Sequence, residues 1–513
     1  MLKISLTRPI VAVFIALLCG SGLASEAEIR LRILETRDLH MNLLGWDHHQ
    51  DKATEEYGLA RTITLIKAAR AESRNSPLLD NGDLLQGSPL GDFVARVRAL
   101  KAGERHPAYK VLDLLNVDAA NIGNHGFNDG LPFLRQAVAG ANFPCVSAKV
   151  MLNEPGVPRE QARHAFTPYV ILQRSFTDQT GQAHPLKVGV IGFVPPPIML
   201  WDKAHLEGKV FATDIQEAAR RLVPHMRAEG APLVVAIPHS GFERGETPRF
   251  AENAVARLSE IPGIDAILFG HSHGEFPGAA FAQHPRIDLA KGTINGVPAV
   301  MPGRWGDHLG VIDLTLDNTS GPWRVTDSRA HLRPIRDRTT RRALVTADPM
   351  VAETSAAEHQ GTLDSVRAEL SQTRAPITSC FAQVADDPSV QVVCAAQLRY
   401  AQRALRGTEY DTRPLLSAAA PSKAGGRQGW THYTDIPANP VALRSVADLC
   451  IYPNTIKAAF DPVADNNWRI RPVPGVRLRF VSGAGGSAHL ARYPMVRLVK
   501  DNGDGTATDD LHP

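Results

Sequence analysis

The chain has 513 residues, 43% hydrophobic and 21% charged, an ordinary globular composition that excludes whole-chain disorder, collagen-like and coiled-coil architectures. At roughly 100 to 200 residues per domain, this length predicts two to four domains with real cores. A net charge of +3 excludes the electrostatic footprint of generic binding to a nucleic-acid polymer or an anionic membrane, so any nucleotide has to be read by a specific site.

In chain order, Lys3 and Arg8 precede an apolar run over 10–18, and Gly22-Leu23-Ala24 forms a small-residue exit. This is the layout of a secretory signal peptide covering 1–24, and it predicts export to the periplasm. The run is too short to span a bilayer, so no stable membrane anchor is expected. Export leaves Cys145, Cys380, Cys394 and Cys450. None sits in a Cys-x-x-Cys pair, so they are expected to be small buried residues, two of which an oxidising compartment can bridge.

From residue 28 to about 316, β-branched runs alternate with amphipathic stretches, which predicts strands feeding helices in an α/β sheet. Strands are expected over 29–34, 77–79, 119–122, 188–194, 233–237 and 266–269. The apolar spacing places helices over 59–71, 214–228 and 250–259. The Ala-, Glu- and Gln-rich stretch 350–374 reads as one connecting helix. Beyond it Ala, Pro and Gly accumulate and the alternation weakens. The expected division is a catalytic domain over 25–345, a linker over 346–375 and a second, smaller domain over 376–513. No internal repeat is found, and the oligomeric state is not encoded in any pattern.

Five strings stand at predicted strand ends, where open α/β sheets place ligand-binding residues. They are Asp38-Leu39-His40, Gly82-Asp83, Gly123-Asn124-His125, His239-Ser240-Gly241 and Gly270-His271-Ser272-His273. Each alone is weak, since a single His at a strand end more often caps or hydrogen-bonds locally. On an extended segment residues i and i+2 share a face, so Asp38 with His40, and His271 with His273, are expected to present donors to one pocket. Asn124 and His125 share a site only if the chain bends, which Gly123 and Gly126 permit. Oxygen and imidazole donors without thiolate favour Mn, Zn, Co or Fe over Ca or Mg. Four His, two Asp and one Asn are too many ligands for one ion and fit two divalent metals sharing a carboxylate.

These strings, in this order, resemble the signature of calcineurin-like metallophosphoesterases. The longer strings 35–40, 81–89 and 302–310 are similar to the branch of periplasmic 2',3'-cyclic-nucleotide 2'-phosphodiesterase/3'-nucleotidases. The similarity runs from about Ile29 to Tyr452 and resumes at 465–469. The resemblance implies a four-layer α/β/β/α sandwich followed by an abridged α/β nucleotide-binding domain. It implies that Asp38, His40, Asp83 and His273 hold one metal, that Asp83, Asn124, His239 and His271 hold the other, and that Asp83 bridges them. His125 is then left to stabilise the phosphoryl transition state or protonate the departing ribose oxygen. The implied substrates are 2',3'-cyclic nucleotides and 3'-nucleotides. A 5'-nucleotidase or UDP-sugar hydrolase shares the metal strings, and a metal-binding relic without turnover is the alternative of another class.

Three departures from the family pattern carry expectations. Gly126 replaces a Glu, which removes a supporting hydrogen bond and predicts a slower site. Asn128 stands where 5'-nucleotidases carry an Asp that orients the His, as suits the cyclic-nucleotide branch. Of two aromatic rings that sandwich the base in the family, Tyr452 matches the first, and the Gly-rich segment carrying the second is missing. Base stacking is worth about 1 to 3 kcal/mol, so its loss predicts a Michaelis constant raised roughly five- to 150-fold.

Overall fold

The computed structural model describes residues 27–449 apart from Ser320, Glu409, 413–414, Leu416, Ala418, 420–422, 426–428 and 430–431, and adds three short strands, Trp468–Ile470, Leu498–Asp501 and Ala507–Thr508. The expected leader 1–24, Cys450 and Tyr452 lie outside the described residues.

Alternation over 28–33 in the strand Glu28–Thr36, with 33–36 buried on both faces, decides the first layer. Ile29, Leu31 and Ile33 point into a core that also holds Val188, Val190, Leu233, Val235 and Ile237 from a second sheet. Leu34 points the other way, into a core built with Leu59, Ile63 and Ile66 of the helix Leu59–Glu72. In the second sheet Val234 and Ala236 likewise face away, onto Ala218, Ala219 and Val223 of the helix Ile215–Ala228. Period-two strands with apolar residues on both faces can bury them only between two further layers. The result is helix, sheet, sheet, helix, the expected four-layer sandwich.

The first sheet has six strands in the order Arg324–Pro334, His308–Asp317, Glu28–Thr36, Leu78–Asp80, Ala119–Asn121 and Cys145–Val146. Its last four strands are parallel, with Leu34 opposite Leu78, Leu79 opposite Ala119 and Ala120 opposite Cys145. The eight-stranded sheet carries its own parallel set, Ala183–Phe193, Leu233–Pro238, Ala266–Leu268 and Val297–Pro302. Parallel strands from both sheets therefore end on one side of the sandwich, and the loops leaving them hold all five sequence strings.

Several expected elements change length. The helix expected over 250–259 is only Val255–Leu258. Phe250 has φ 61°, and the Asn253 side chain accepts from Gly241 N–H at 2.9 Å, so local side-chain bonding competes with the helical turn. The expected single helix over 350–374 is two, Pro349–Thr354 and Ala356–Arg367, with Ser355 between them. The Ser355 hydroxyl donates back to Val351 O at 2.6 Å. Past Arg367 the chain turns into the strand Glu369–Ser371. The cysteine expectation holds only for Cys145, which is buried; Cys380 is exposed, and no bridge joins Cys145, Cys380 and Cys394 to one another.

The segment after Arg367 has a thin core. Ile436, Val441 and Leu449 are buried together, with Ile377 and Val393 packed beside them. The helix Pro388–Ala404 buries only Ser389. Arg367 ties this end of the molecule to the first unit through a two-pronged bond to Asp51 at 2.7 and 2.9 Å. No helix among the described residues is long and apolar enough to cross a membrane.

Candidate metal centre

The ligand candidates lie just past five strand ends. Asp38 and His40 follow Glu28–Thr36, Asp83 follows Leu78–Asp80, and Asn124 with His125 follows Ala119–Asn121. His239 follows Leu233–Pro238, and His271 with His273 follows Ala266–Leu268. Donor atoms of Asp38, His40 and His273 converge within 4.8 Å, as do those of Asp83, His239 and His271, and a third grouping links His40 and Asp83 with His125.

The route to this convergence differs from the extended segments expected. Asp38, His40, Asp83, His271 and His273 all have positive φ, between 43° and 72°. Left-handed turns, not the alternation of a strand, bring Asp38 to His40 and His271 to His273. Such backbone costs roughly 1–3 kcal/mol per residue, least for Asp and His, and persists where the surroundings over-determine it. Glycine makes room for it. A Cβ at Gly82 would stand 2.5 Å from Gly123 N, and one at Gly123 would collide with Asp83 Oδ1.

Asp38 is divided between two tasks. Its Oδ2 accepts from the Arg37 guanidinium and from His271 N–H at 3.2 Å. Its Oδ1 is buried and has no hydrogen-bond partner, yet Nε2 of His40, His239 and His273 stand at 3.6, 3.6 and 3.4 Å. Asp83 is divided similarly. Oδ1 accepts from His125 N–H at 2.8 Å, while Oδ2 faces His239 Nε2 at 2.9 Å and His40 Nε2 at 3.9 Å. Asp83 therefore reaches both groups of imidazoles, the position a shared carboxylate needs.

The rings are oriented from behind. His40 Nδ1 donates to Gln86 O at 2.8 Å and His239 Nδ1 to Asn81 O at 3.0 Å, which leaves each Nε2 a bare lone pair aimed inward. Nε2 of His40 and of His273 face each other at 3.1 Å. His271 bonds Glu252 through Nε2 at 2.6 Å, so Nδ1 is the nitrogen left for an ion. Asn81 Nδ2 donates to Glu35 Oε1, Pro238 O and Leu268 O at 3.2, 3.1 and 2.6 Å, stitching the two sheets where the ligands emerge.

Protonation matches what a cation requires. Burial holds the His40 imidazole below its ordinary value, and burial, reinforced by His40, Arg37 and Arg304, takes His273 down to about 2. Burial opposes ionisation of Asp83, but His239, His125 and His40 outweigh it and hold the carboxyl well below the usual range. Neutral imidazoles beside an ionised carboxylate form the ligand state metals bind. The buried atoms without partners include Asp38 Oδ1 and Asn124 Oδ1. Buried polar atoms seldom go unpaired, and Asp38 Oδ1, with Nε2 atoms of three histidines around it, fits a divalent cation.

His125 stands apart from that set. Its Nδ1 lies 2.6 Å from Asn128 Oδ1 and 3.0 Å from Gln86 Oε1, and Asn128 in turn donates to Asp202 at 2.9 Å. Burial brings its imidazole down to about 4. The support expected to be missing with Gly126 is thus supplied from Asn128 and Gln86. A Cβ at Gly126 would point to Ile122 and Leu134 at 3.3 Å, toward the core. Sequence reading did not assign Gln86, Asn81, Glu252 and Asp202 to the site. Gln86 and Asn81 stand within the string 81–89, and that was the available signal; Glu252 and Asp202 had none.

The family model of calcineurin-like phosphoesterases matches residues 31–275. A 2',3'-cyclic-nucleotide 2'-phosphodiesterase/3'-nucleotidase of Yersinia enterocolitica is 46% identical over 89% of this chain and 69% of its own length. One of Salmonella typhimurium is 47% identical over 84% of this chain and 66% of its own length. The chain thus spans about two thirds of the length of these curated relatives. Among solved structures, the calcineurin-like phosphoesterase YfkN of Bacillus subtilis superposes with a TM-score of 0.62 at 41% identity, covering 66% of this chain and all of that one. With sequence, sandwich and ligand loops in agreement, the chain belongs to the calcineurin-like phosphoesterases, beside relatives described as 2',3'-cyclic-nucleotide 2'-phosphodiesterase/3'-nucleotidases.

Proposed function

We propose that this chain is a dimetal phosphohydrolase that opens 2',3'-cyclic nucleotides to 3'-nucleotides and then releases nucleoside and phosphate. The observation that carries the reading is the bare, buried Asp38 Oδ1 ringed by three Nε2 atoms, in a chain 46–47% identical to relatives of that description.

Asp38, His40, Asp83 and His273 would hold one ion and Asp83, Asn124, His239 and His271 the other. When bound, such ions supply Lewis acidity to the phosphoryl oxygens and a water acidic enough to act as nucleophile at neutral pH. The remaining tasks fall to side chains. Arg37 and His271 N–H fix the orientation of Asp38, and Gln86 and Asn81 fix the tautomers of His40 and His239. His125, with Nδ1 engaged by Asn128 and Gln86, directs Nε2 to the ester, where it would take a proton released by the attacking water and, as imidazolium, stabilise the transition state and pass that proton to the departing ribose oxygen. Mn, Zn, Co and Fe all suit this donor set.

The chain is read as a leader over 1–24, a catalytic unit over 25–345, a linker over 346–375 and an abridged substrate-binding unit over 376–513, in which Tyr452 stacks on the base. The leader layout supports a periplasmic location. Turnover of 2',3'-cAMP, 3'-AMP and 5'-AMP by Mn- or Zn-loaded protein tests the reading. The first two are expected to be hydrolysed far faster, whereas 5'-AMP as best substrate would move the chain to the 5'-nucleotidases. Metal-dependent hydrolysis of bis(p-nitrophenyl) phosphate is expected as well; its absence would mark a relic.

A further inference from the structure

One exposed aromatic ring lies directly against the metal centre and has no part in holding it. Pro195-Pro196-Pro197 leads into the short helix Ile198–Trp201. Ile198 is buried in the core, which anchors the turn, while Leu200 and Trp201 remain 62% and 39% exposed. The Trp201 indole stacks on the ring of His271 with centroids 5.6 Å apart and planes 27° from parallel. The next residue, Asp202, is buried and accepts from Asn128, the partner of His125. One turn thus touches a candidate ligand with one residue and the support of His125 with the next.

An indole whose sole task was to shield His271 would be expected to bury itself. Here a large apolar ring stays in water at the edge of a polar side-chain cluster, with exposed Leu200 beside it, held by a proline-led turn that limits its freedom. Such a ring gains most when a flat apolar group covers it.

We propose that Trp201 is a nucleobase platform on the catalytic unit, separate from any base contact made by the second unit and placed to receive the organic part of an ester whose phosphate sits at the metals. This rests on the nucleotide reading above. The test is the ratio of kcat/KM for 3'-AMP to that for glycerol phosphate, which has a phosphate ester but no ring, together with inhibition of glycerol phosphate hydrolysis by adenosine. In Trp201→Ala the ratio is expected to fall, and the adenosine inhibition constant to rise, by roughly five- to 140-fold. Bound metal should remain at the wild-type stoichiometry, and Trp201→Phe should restore most of the loss. Equal losses on both substrates, loss of metal, or unchanged adenosine inhibition would each overturn the platform. Wild-type protein that cleaves glycerol phosphate but not 3'-AMP would instead defeat the nucleotide reading, and the adenosine comparison would still decide the platform.

Discussion

The metal-centre loops and the segment that follows Arg367 both bury polar groups, and they treat them oppositely. Around Asp83 the protein leaves Asp38 Oδ1 and Asn124 Oδ1 buried without partners, among loops in which Asp38, His40, Asp83, His271 and His273 take left-handed backbone. In the later segment the buried Lys423 ammonium pairs with Asp448, and Thr434 Oγ1 donates to Asp448 O at 2.7 Å. Yet its apolar core is small, essentially Ile436, Val441 and Leu449. The first region is rigid in scaffold and leaves buried oxygens unpaired, as suits a site that binds cations. The second is satisfied but thinly packed, so it contributes little stability of its own. Substitutions should therefore sort by region, the first altering chemistry and metal, the second altering stability.

The largest effect is expected from Asp83→Ala. Both groups of imidazoles lose their common carboxylate, so metal analysis should fall from two ions per chain toward none and hydrolysis to background. Retention of both ions would show that Asp83 is not shared. Next comes His125→Ala, expected to lower kcat roughly 10²- to 10⁴-fold, the usual worth of general acid–base help, with two ions still bound. Metal loss equal to that of Asp83→Ala would make His125 a ligand.

In the second region, Ile436→Ala should cost about 2–5 kcal/mol, seen as a lowered melting step for that segment alone. Metal stoichiometry should stay at two; a matching loss of metal would erase the contrast between the regions. The smallest effect concerns Lys149, whose ammonium nitrogen is fully buried without a partner. Burial depresses its pKa well below 10.5, so between the folded value and 10.5 the unfolded chain binds more protons, and stability rises with pH. Lys149→Met should stabilise the protein at neutral pH by about 1–3 kcal/mol and flatten that rise. A destabilised variant with an unchanged pH slope would refute this account of Lys149.

Much of the centre is legible in the sequence because its donors cluster in strings at strand ends, and parallel strands of two facing sheets bring those ends together whatever the loops do. The strand and helix periods around 29–34, 59–71, 214–228 and 233–237 are strong for the same reason: each element buries a continuous apolar face. What escapes reading depends on distant partners. The Asp38–His40 pairing looks like an i, i+2 alternation, yet left-handed backbone produces it, and φ at Asp or His is not written in residue type. The break at Ser355 comes from a hydroxyl returning to Val351 O. Gly126 looks like a lost support for His125, but Asn128 and Gln86 hold the ring from the other side. The neighbourhood of Trp201 exists only once two sheets pack.

The central claim, that seven side chains cage two cations joined by Asp83, is tested most directly by anomalous diffraction from crystals grown with Mn. The account predicts two peaks, one beside Asp38, His40 and His273 and one beside Asn124, His239 and His271, with Asp83 reaching both. A single peak, or peaks away from these residues, would contradict it.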